Sequence, residues 1–226
     1  MIGAALLAPV FCNDLGIAKG LWYSLFHSIS AFCNAGFDLF GIREPFSSLT
    51  FYHSNIYLNI IIMLLIITGG IGFLVWGDIR IHKNRIRRFS LQSKVVLMTS
   101  AVLIVLPALY FFFYEYDCET IHDRTIHSLF QSVTTRTAGF NTTDLAAMDE
   151  SGTAIMVILM LIGGSPGSTA GGMKTATFAV LFLSAITVFS RRNDVQCFKR
   201  RISNETVCSA GACLLYTSPS PRDISG

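Results

Sequence analysis

Ser24-Leu-Phe-His-Ser-Ile-Ser-Ala-Phe-Cys-Asn-Ala-Gly-Phe37 returns later in the chain as Ser128-Leu-Phe-Gln-Ser-Val-Thr-Thr-Arg-Thr-Ala-Gly-Phe140, one residue shorter. The opening Ser-Leu-Phe, the next serine and the closing Ala-Gly-Phe are common to both. Each copy follows one plan: a short amphipathic run, a loop of small residues, a polar patch, then a long apolar segment ending in a basic cluster. A duplicated unit of this kind predicts an architecture assembled from repeats.

The amphipathic run is too brief to cross a bilayer. A span needs about 20 apolar residues, and 21–32 or 121–133 supplies little more than half of that. Each run stops at residues that break helices, Asn34-Ala35-Gly36 and Thr137-Ala138-Gly139. Irregular backbone at membrane depth is tolerated only inside protein or against a watery cavity. A half-buried helix ending in a glycine loop therefore reads as a re-entrant pore loop. Its carbonyls can replace the hydration shell of a cation, and its C-terminal dipole end favours positive charge. The plainer alternative is a turn after an interfacial helix; two copies weigh against it.

Composition agrees with a membrane protein. Hydrophobic residues make up 52% of the 226 and charged residues 14%, well below the roughly 25% of soluble domains. The charges are clustered: Arg80, Lys83, Arg85, Arg87, Arg88 and Lys94 crowd one connection, and Arg191, Arg192, Lys199, Arg200 and Arg201 another. Basic residues at span ends are not a nucleic-acid stripe, so no nucleic-acid partner is expected. Residues 55–75 and 95–114 carry no charge and are each long enough to cross, with a kink expected at Pro107. Gly69, Gly70 and Gly72 would let another backbone come close. The positive-inside rule places 77–94 and 191–201 in the cytoplasm. Both re-entrant units then open from the outer face, where Glu115, Asp117, Glu119, Asp123, Asp144, Asp149 and Glu150 lie.

Residues 151–189 are long enough for two spans, yet the charge rule requires one net crossing. Their centre, Gly163-Gly-Ser-Pro-Gly-Ser-Thr-Ala-Gly-Gly-Met-Lys174, cannot be a regular helix. The region reads as a helix, an unwound segment and a second helix. Lys174 is the one charge between Gly152 and Ser190; it either holds loop carbonyls, repels cations, or snorkels to the cytoplasmic edge. The same stretch loosely follows a phosphate-binding loop, but Met173 separates Gly172 from Lys174 and no strand precedes it. With no Ser/His/Asp or paired-carboxylate constellation inside a span, an enzyme is not expected.

Three stretches in order carry a family resemblance. Ser-Ala-Phe-Cys-Asn-Ala-Gly-Phe-Asp and Thr-Thr-Arg-Thr-Ala-Gly-Phe-Asn resemble the second and third pore loops of the Trk/Ktr/HKT superfamily of potassium transporters, nearest to the bacterial Ktr-type membrane subunit. The glycine-rich stretch resembles that family's intramembrane gate segment. The resemblance implies an all-α membrane protein of repeated helix–pore loop–helix units, of which this chain carries the second and third of four. It implies a potassium filter made by the backbone of Asn34, Ala35, Gly36 and Phe37 with Thr137, Ala138, Gly139 and Phe140. It assigns a gate to Gly163, Gly164, Ser165, Pro166, Gly167, Ser168, Thr169, Ala170, Gly171, Gly172 and Lys174. Potassium is the transported ion, and no cofactor is expected. A homodimer in the bacterial plasma membrane and a cytoplasmic nucleotide-binding regulatory subunit follow by the same analogy. One glycine per loop fits the family's simple filter; a sodium-selective transporter, or a non-transporting scaffold or sensor, stays open.

Boundaries follow as expectations. Residues 1–93 hold the end of a first helix, a pore loop and a second helix, the first helix leaving the membrane at Pro9 and Asn13-Asp14. Residues 94–203 hold the next repeat, 204–212 the start of a truncated fourth, and 213–226 a tail that departs from the family. Met1 is expected to be internal to a longer frame. The six cysteines show no Cys-x-x-Cys pairing and read as unpaired packing residues. Arg136 is expected to set the field at the second loop or to pair with Asp144. His27, His122 and His127 read as satisfied histidines, not metal ligands.

Overall fold

The computed structural model describes residues 1–42, 47–83, 85–116, 120–191, 195–198 and 200–217, and helices dominate them. Helix α1 (Ile2–Leu15) packs along α2 (Ile17–Phe32). The expected exit at Pro9 and Asn13-Asp14 is not where α1 ends; the helix runs on to Leu15 with Pro9 inside it. Tertiary contacts hold that last turn. Phe11 is fully buried between the rings of Phe40 and Tyr52, 5.8 and 5.5 Å away, and the Tyr52 hydroxyl donates to the Asp14 carboxylate.

Helix α3 (Ile56–Ile71) opens with Asn55, whose side chain accepts from the Leu58 amide at 3.0 Å, an N-cap. The uncharged run 55–75 is not one straight span. It breaks at Gly72, and α4 (Phe73–His82) leaves at 92° to α3. Gly72 has φ 86°, a conformation open to glycine. The break leaves backbone groups without helical partners, and residues 163–174 supply them. The carbonyls of Gly69, Gly70 and Ile71 accept from Thr169 N, Ser165 N and Ser165 Oγ, while Phe73 N donates to Gly167 O at 3.1 Å. The glycines at 69–72 thus do admit a foreign backbone.

Helix α5 (Leu91–Tyr110) contains Pro107 and continues as a π-helical turn, Phe111–Glu115. Together these 25 residues form the one unbroken helical run among the described residues that is long and apolar enough to cross a membrane. At 1.5 Å per residue it reaches about 38 Å, beyond the roughly 30 Å hydrocarbon core. Helix α6 (Ile121–Thr134) begins at Thr120, which accepts from Asp123 N and donates to its carboxylate. Helices α7 (Glu150–Leu161) and α8 (Thr175–Phe189) flank the unwound segment, as the glycine content of 163–172 requires.

Two features depart from the expected plan. Strands β1 (Gln196–Cys197) and β2 (Arg200–Arg201) pair antiparallel in the second basic connection, a small exception to an all-helical chain. Helix α9 (Asn204–Thr217) runs through Cys213, where the tail was expected to begin.

One buried cluster joins α1, α2, α3 and α6 to both loops, with Leu7, Phe11, Leu58, Ile62, Phe130 and Phe140 at its centre. A second joins α5 and α7 to the unwound segment through Leu103, Phe111, Leu159, Ile162 and Met173. Outward side chains on α5 (Met98, Val105, Leu106) and α7 (Val157, Ile158, Leu161) are apolar as well. Helices apolar on both faces suit lipid and not water.

Candidate functional site

The duplicated stretches fold alike. At the end of α2, Asn34 has φ 51° and Gly36 φ 70°; at the end of α6, Thr137 has φ 64° and Gly139 φ 83°. Ala35 N donates to Ser30 O and Ala138 N to Thr134 O, both at 2.9 Å. Ser30 Oγ donates to Phe37 O and Thr134 Oγ1 to Phe140 O, both at 2.7 Å. Each helix therefore ends in a left-handed turn stapled back by its own last-turn hydroxyl. Asparagine tolerates that conformation. A β-branched threonine does not, and Thr137 stores on the order of 1–3 kcal/mol of backbone strain.

The two turns meet. A Cβ on Gly36 would lie 2.6 Å from Ala138 O and 2.8 Å from Gly139 Cα, and one on Gly139 would lie 3.1 Å from Gly36 Cα. Crowding and dihedral angle both demand glycine. Asn34, Ala35, Gly36 and Phe37 are thus brought against Thr137, Ala138, Gly139 and Phe140; Phe140 is fully buried and Phe37 exposed.

Residues 163–174 pack on this pair. Thr169 Oγ1 donates to Phe32 O (2.9 Å) and accepts from Asn34 Nδ2 (3.0 Å). Because the single hydroxyl proton goes to a carbonyl, the Asn34 amide must present its nitrogen. Arg136 turns inward and donates to Gly163 O (3.3 Å) and Ser100 Oγ (3.4 Å). It does not reach Asp144, whose carboxylate accepts from Ala146 N. Lys174 Nζ folds back onto Ala170 O at 2.8 Å, holding a loop carbonyl instead of extending to the edge. Gly163 N donates to Met173 O and Met173 N to Leu161 O, both at 3.0 Å, so Ile162 and Met173 pair in parallel. A cavity of about 220 Å³ between α3 and α5 is lined by Asn34, Gly70, Ser100, Arg136, Gly164 and Ala170. Another of about 290 Å³ touches Ala35, Thr137, Ala138 and Gly139.

His27 is held by its environment. Leu39 N donates to Nε2 (3.4 Å), so Nδ1 carries the proton that goes to Tyr23 O (2.8 Å). His127 packs against the rings of Tyr116 and His53. Among the described residues no group of three His, Cys, Asp or Glu could hold a metal. The pairings of Ser30, Thr134, Asn34 and Arg136 were missed in the sequence. The first two were detectable, since they are hydroxyls at one position of the duplicated stretch.

Short helices ending in paired glycine turns, set against a broken apolar helix, are the construction of a membrane transport protein. The chain belongs to the cation transport protein family TrkH, which it matches over residues 2–215. That is a transporter family, not an enzyme family. The potassium/sodium uptake protein NtpJ of Enterococcus hirae is 39% identical over 215 residues, 93% of this chain and 46% of NtpJ. Ktr system potassium uptake protein B of Bacillus subtilis is 36% identical, over 93% of this chain and 47% of that protein. The potassium transporter TrkH of Vibrio parahaemolyticus shares the fold at TM-score 0.72 and 18% identity, over 93% of this chain and 45% of the other. The chain spans about half the length of the relatives it matches.

Proposed function

We propose that this chain is the part of a potassium-uptake pore that carries two of four filter loops and the gate, in a multi-pass protein of the bacterial plasma membrane. The observation that carries this reading is the meeting of two glycine turns stapled alike, Gly36 on Gly139, each at the C-terminal end of a short helix. Backbone carbonyls at such an end are the groups that can replace a cation's water, and the helix dipoles add negative potential there. Asn34 to Phe37 and Thr137 to Phe140 are the filter stretches, as the second and third of four repeats. The loop 163–174 is the gate, braced by Lys174.

The reading extends to orientation and partners. The basic connections 77–94 and 191–201 face the cytoplasm. The complete protein pairs with a second copy and with a cytoplasmic nucleotide-binding subunit, by analogy with the superfamily that the sequence resembles. A second reading, sodium transport through the same filter, is favoured by the likeness to NtpJ. The test is Gly139→Asp in the complete transporter, expressed in a bacterium without its own potassium uptake. Uptake is abolished while membrane insertion is unchanged; normal uptake sinks the filter assignment. Sodium-driven growth in place of potassium rescue selects the second reading.

A further inference from the structure

Each filter stretch sends one side chain to the loop 163–174, and the two land at different places. From the first, Asn34 Nδ2 reaches Thr169 Oγ1 at 3.0 Å, and the same hydroxyl donates to Phe32 O at 2.9 Å. From the second, Arg136 Nη2 reaches Gly163 O at 3.3 Å. The positions are not equivalent. Asn34 matches Thr137 in the duplicated stretch, and Thr137 Oγ1 makes no hydrogen bond among the described residues. The contact to the loop has moved one residue back, to Arg136. The loop is further seated at the corner of α3 and α4, where a Cβ on Gly69 would lie 1.8 Å from Phe32 O and 3.1 Å from Thr169 Oγ1. Filter turn, helix corner and loop are thus in contact at one point.

We propose that both filter stretches latch the gate shut, through Thr169 on Asn34 and Phe32 and through Gly163 on Arg136, so that gate and filter form one coupled switch and not two devices in series. This rests on the pore reading given above. The physical content is a shared set of bonds. If the loop moves aside, Asn34 loses its amide partner and Phe32 O its donor. Asn34 is the left-handed residue on which the first filter turn depends, with φ 51°. Releasing the gate therefore loosens the filter, and an opened gate discriminates less between cations. Thr169, Arg136 and the side chain of Asn34 position the filter in this scheme; the backbone of Asn34 belongs to the filter itself.

The experiment uses the complete transporter, with flux expressed per inserted protein. Thr169→Val keeps the side-chain shape and removes both hydroxyl bonds. It is expected to raise uptake at saturating potassium between about fivefold and about 25-fold, the shifts that one and two neutral hydrogen bonds give a two-state equilibrium, and to lower the preference for potassium over sodium. Thr169→Ser, which retains the hydroxyl, restores both values. Arg136→Gln lowers the preference in the same direction. An unchanged or reduced flux in Thr169→Val overturns the latch, and a raised flux with unchanged preference overturns the coupling. In either case an inactive Gly139→Asp leaves the pore reading standing, whereas normal uptake in Gly139→Asp removes the pore reading and the latch together.

Discussion

Thr137 shows what a single residue reveals about this molecule. A β-branched side chain at φ 64° is held there by its neighbours: Ala138 N is bonded to Thr134 O, and Thr134 Oγ1 closes on Phe140 O. Asp78 is the corresponding case on the basic connection. Its carboxylate accepts from Ser90 Oγ and Ser93 Oγ, both at 2.6 Å, and from Ser90 N at 3.0 Å. These bonds, led by the Ser90 hydroxyl, bring its pKa from 3.8 down to about 2. A carboxyl whose folded value is depressed contributes stability that is complete above its unfolded value and is lost as pH falls through the folded one. The latch of Asp78 on Ser90 and Ser93 is therefore intact at neutral pH and released only as pH drops through about 2. A carboxyl carbon NMR titration of the detergent-solubilised protein should place the Asp78 midpoint there, and Ser93→Ala should raise it. A midpoint at the ordinary value would show the serines do not hold it.

The instructive element is the bent pair α3 and α4. Gly69 and Gly77 are both glycines in helices, yet their surroundings are opposite. A Cβ on Gly69 would lie 1.8 Å from Phe32 O, whereas one on Gly77 would meet nothing within 4 Å. Gly69→Ala should lower the midpoint of thermal unfolding in detergent and deplete the inserted protein, at a cost of several kcal/mol as a backbone clash in a packed site demands. Gly77→Ala should be neutral or stabilise by up to about 1 kcal/mol from helix propensity. Equal effects would show that the corner is not packed as described. The bend also marks the limit of what the sequence discloses. The two like glycine turns were legible because Ala-Gly-Phe occurs twice behind a short amphipathic run, and the unwound segment because Pro166 and its glycines forbid a helix. The corner at Gly72 was not legible, since a glycine leaves an apolar run apolar. Its causes, Ser165 and Gly167, lie far along the chain. The continuation of α1 past Pro9 has the same origin, in Phe11 packing on Phe40 and Tyr52.

At the scale of the whole molecule, the positive-inside rule predicts the orientation. The connection 77–94 carries Arg80, Lys83, Arg85, Arg87, Arg88 and Lys94 against the single carboxylate of Asp78, which Ser90 and Ser93 keep ionised. A green fluorescent reporter fused after Lys83 should be bright, and alkaline phosphatase fused after Asp149 should be active, in the complete transporter. The reverse pattern would invert the topology and move both glycine turns to the inner face. The pairing of Ile162 with Met173 has a consequence at this scale too. It draws the two ends of the intervening segment together as the neck of a bulb, with Gly163 N, Met173 N and Thr175 N all bonded across it. A bulb stitched at its neck cannot unravel into a thread. The neck bonds would stay with the segment if it moved, whereas Ser165 N and Thr169 N are bonded outside it, to Gly70 O and Gly69 O of α3. In hydrocarbon, where each bare amide costs several kcal/mol, a neck of this build confines the cost of any displacement to the few groups bonded to the α3 and α4 corner.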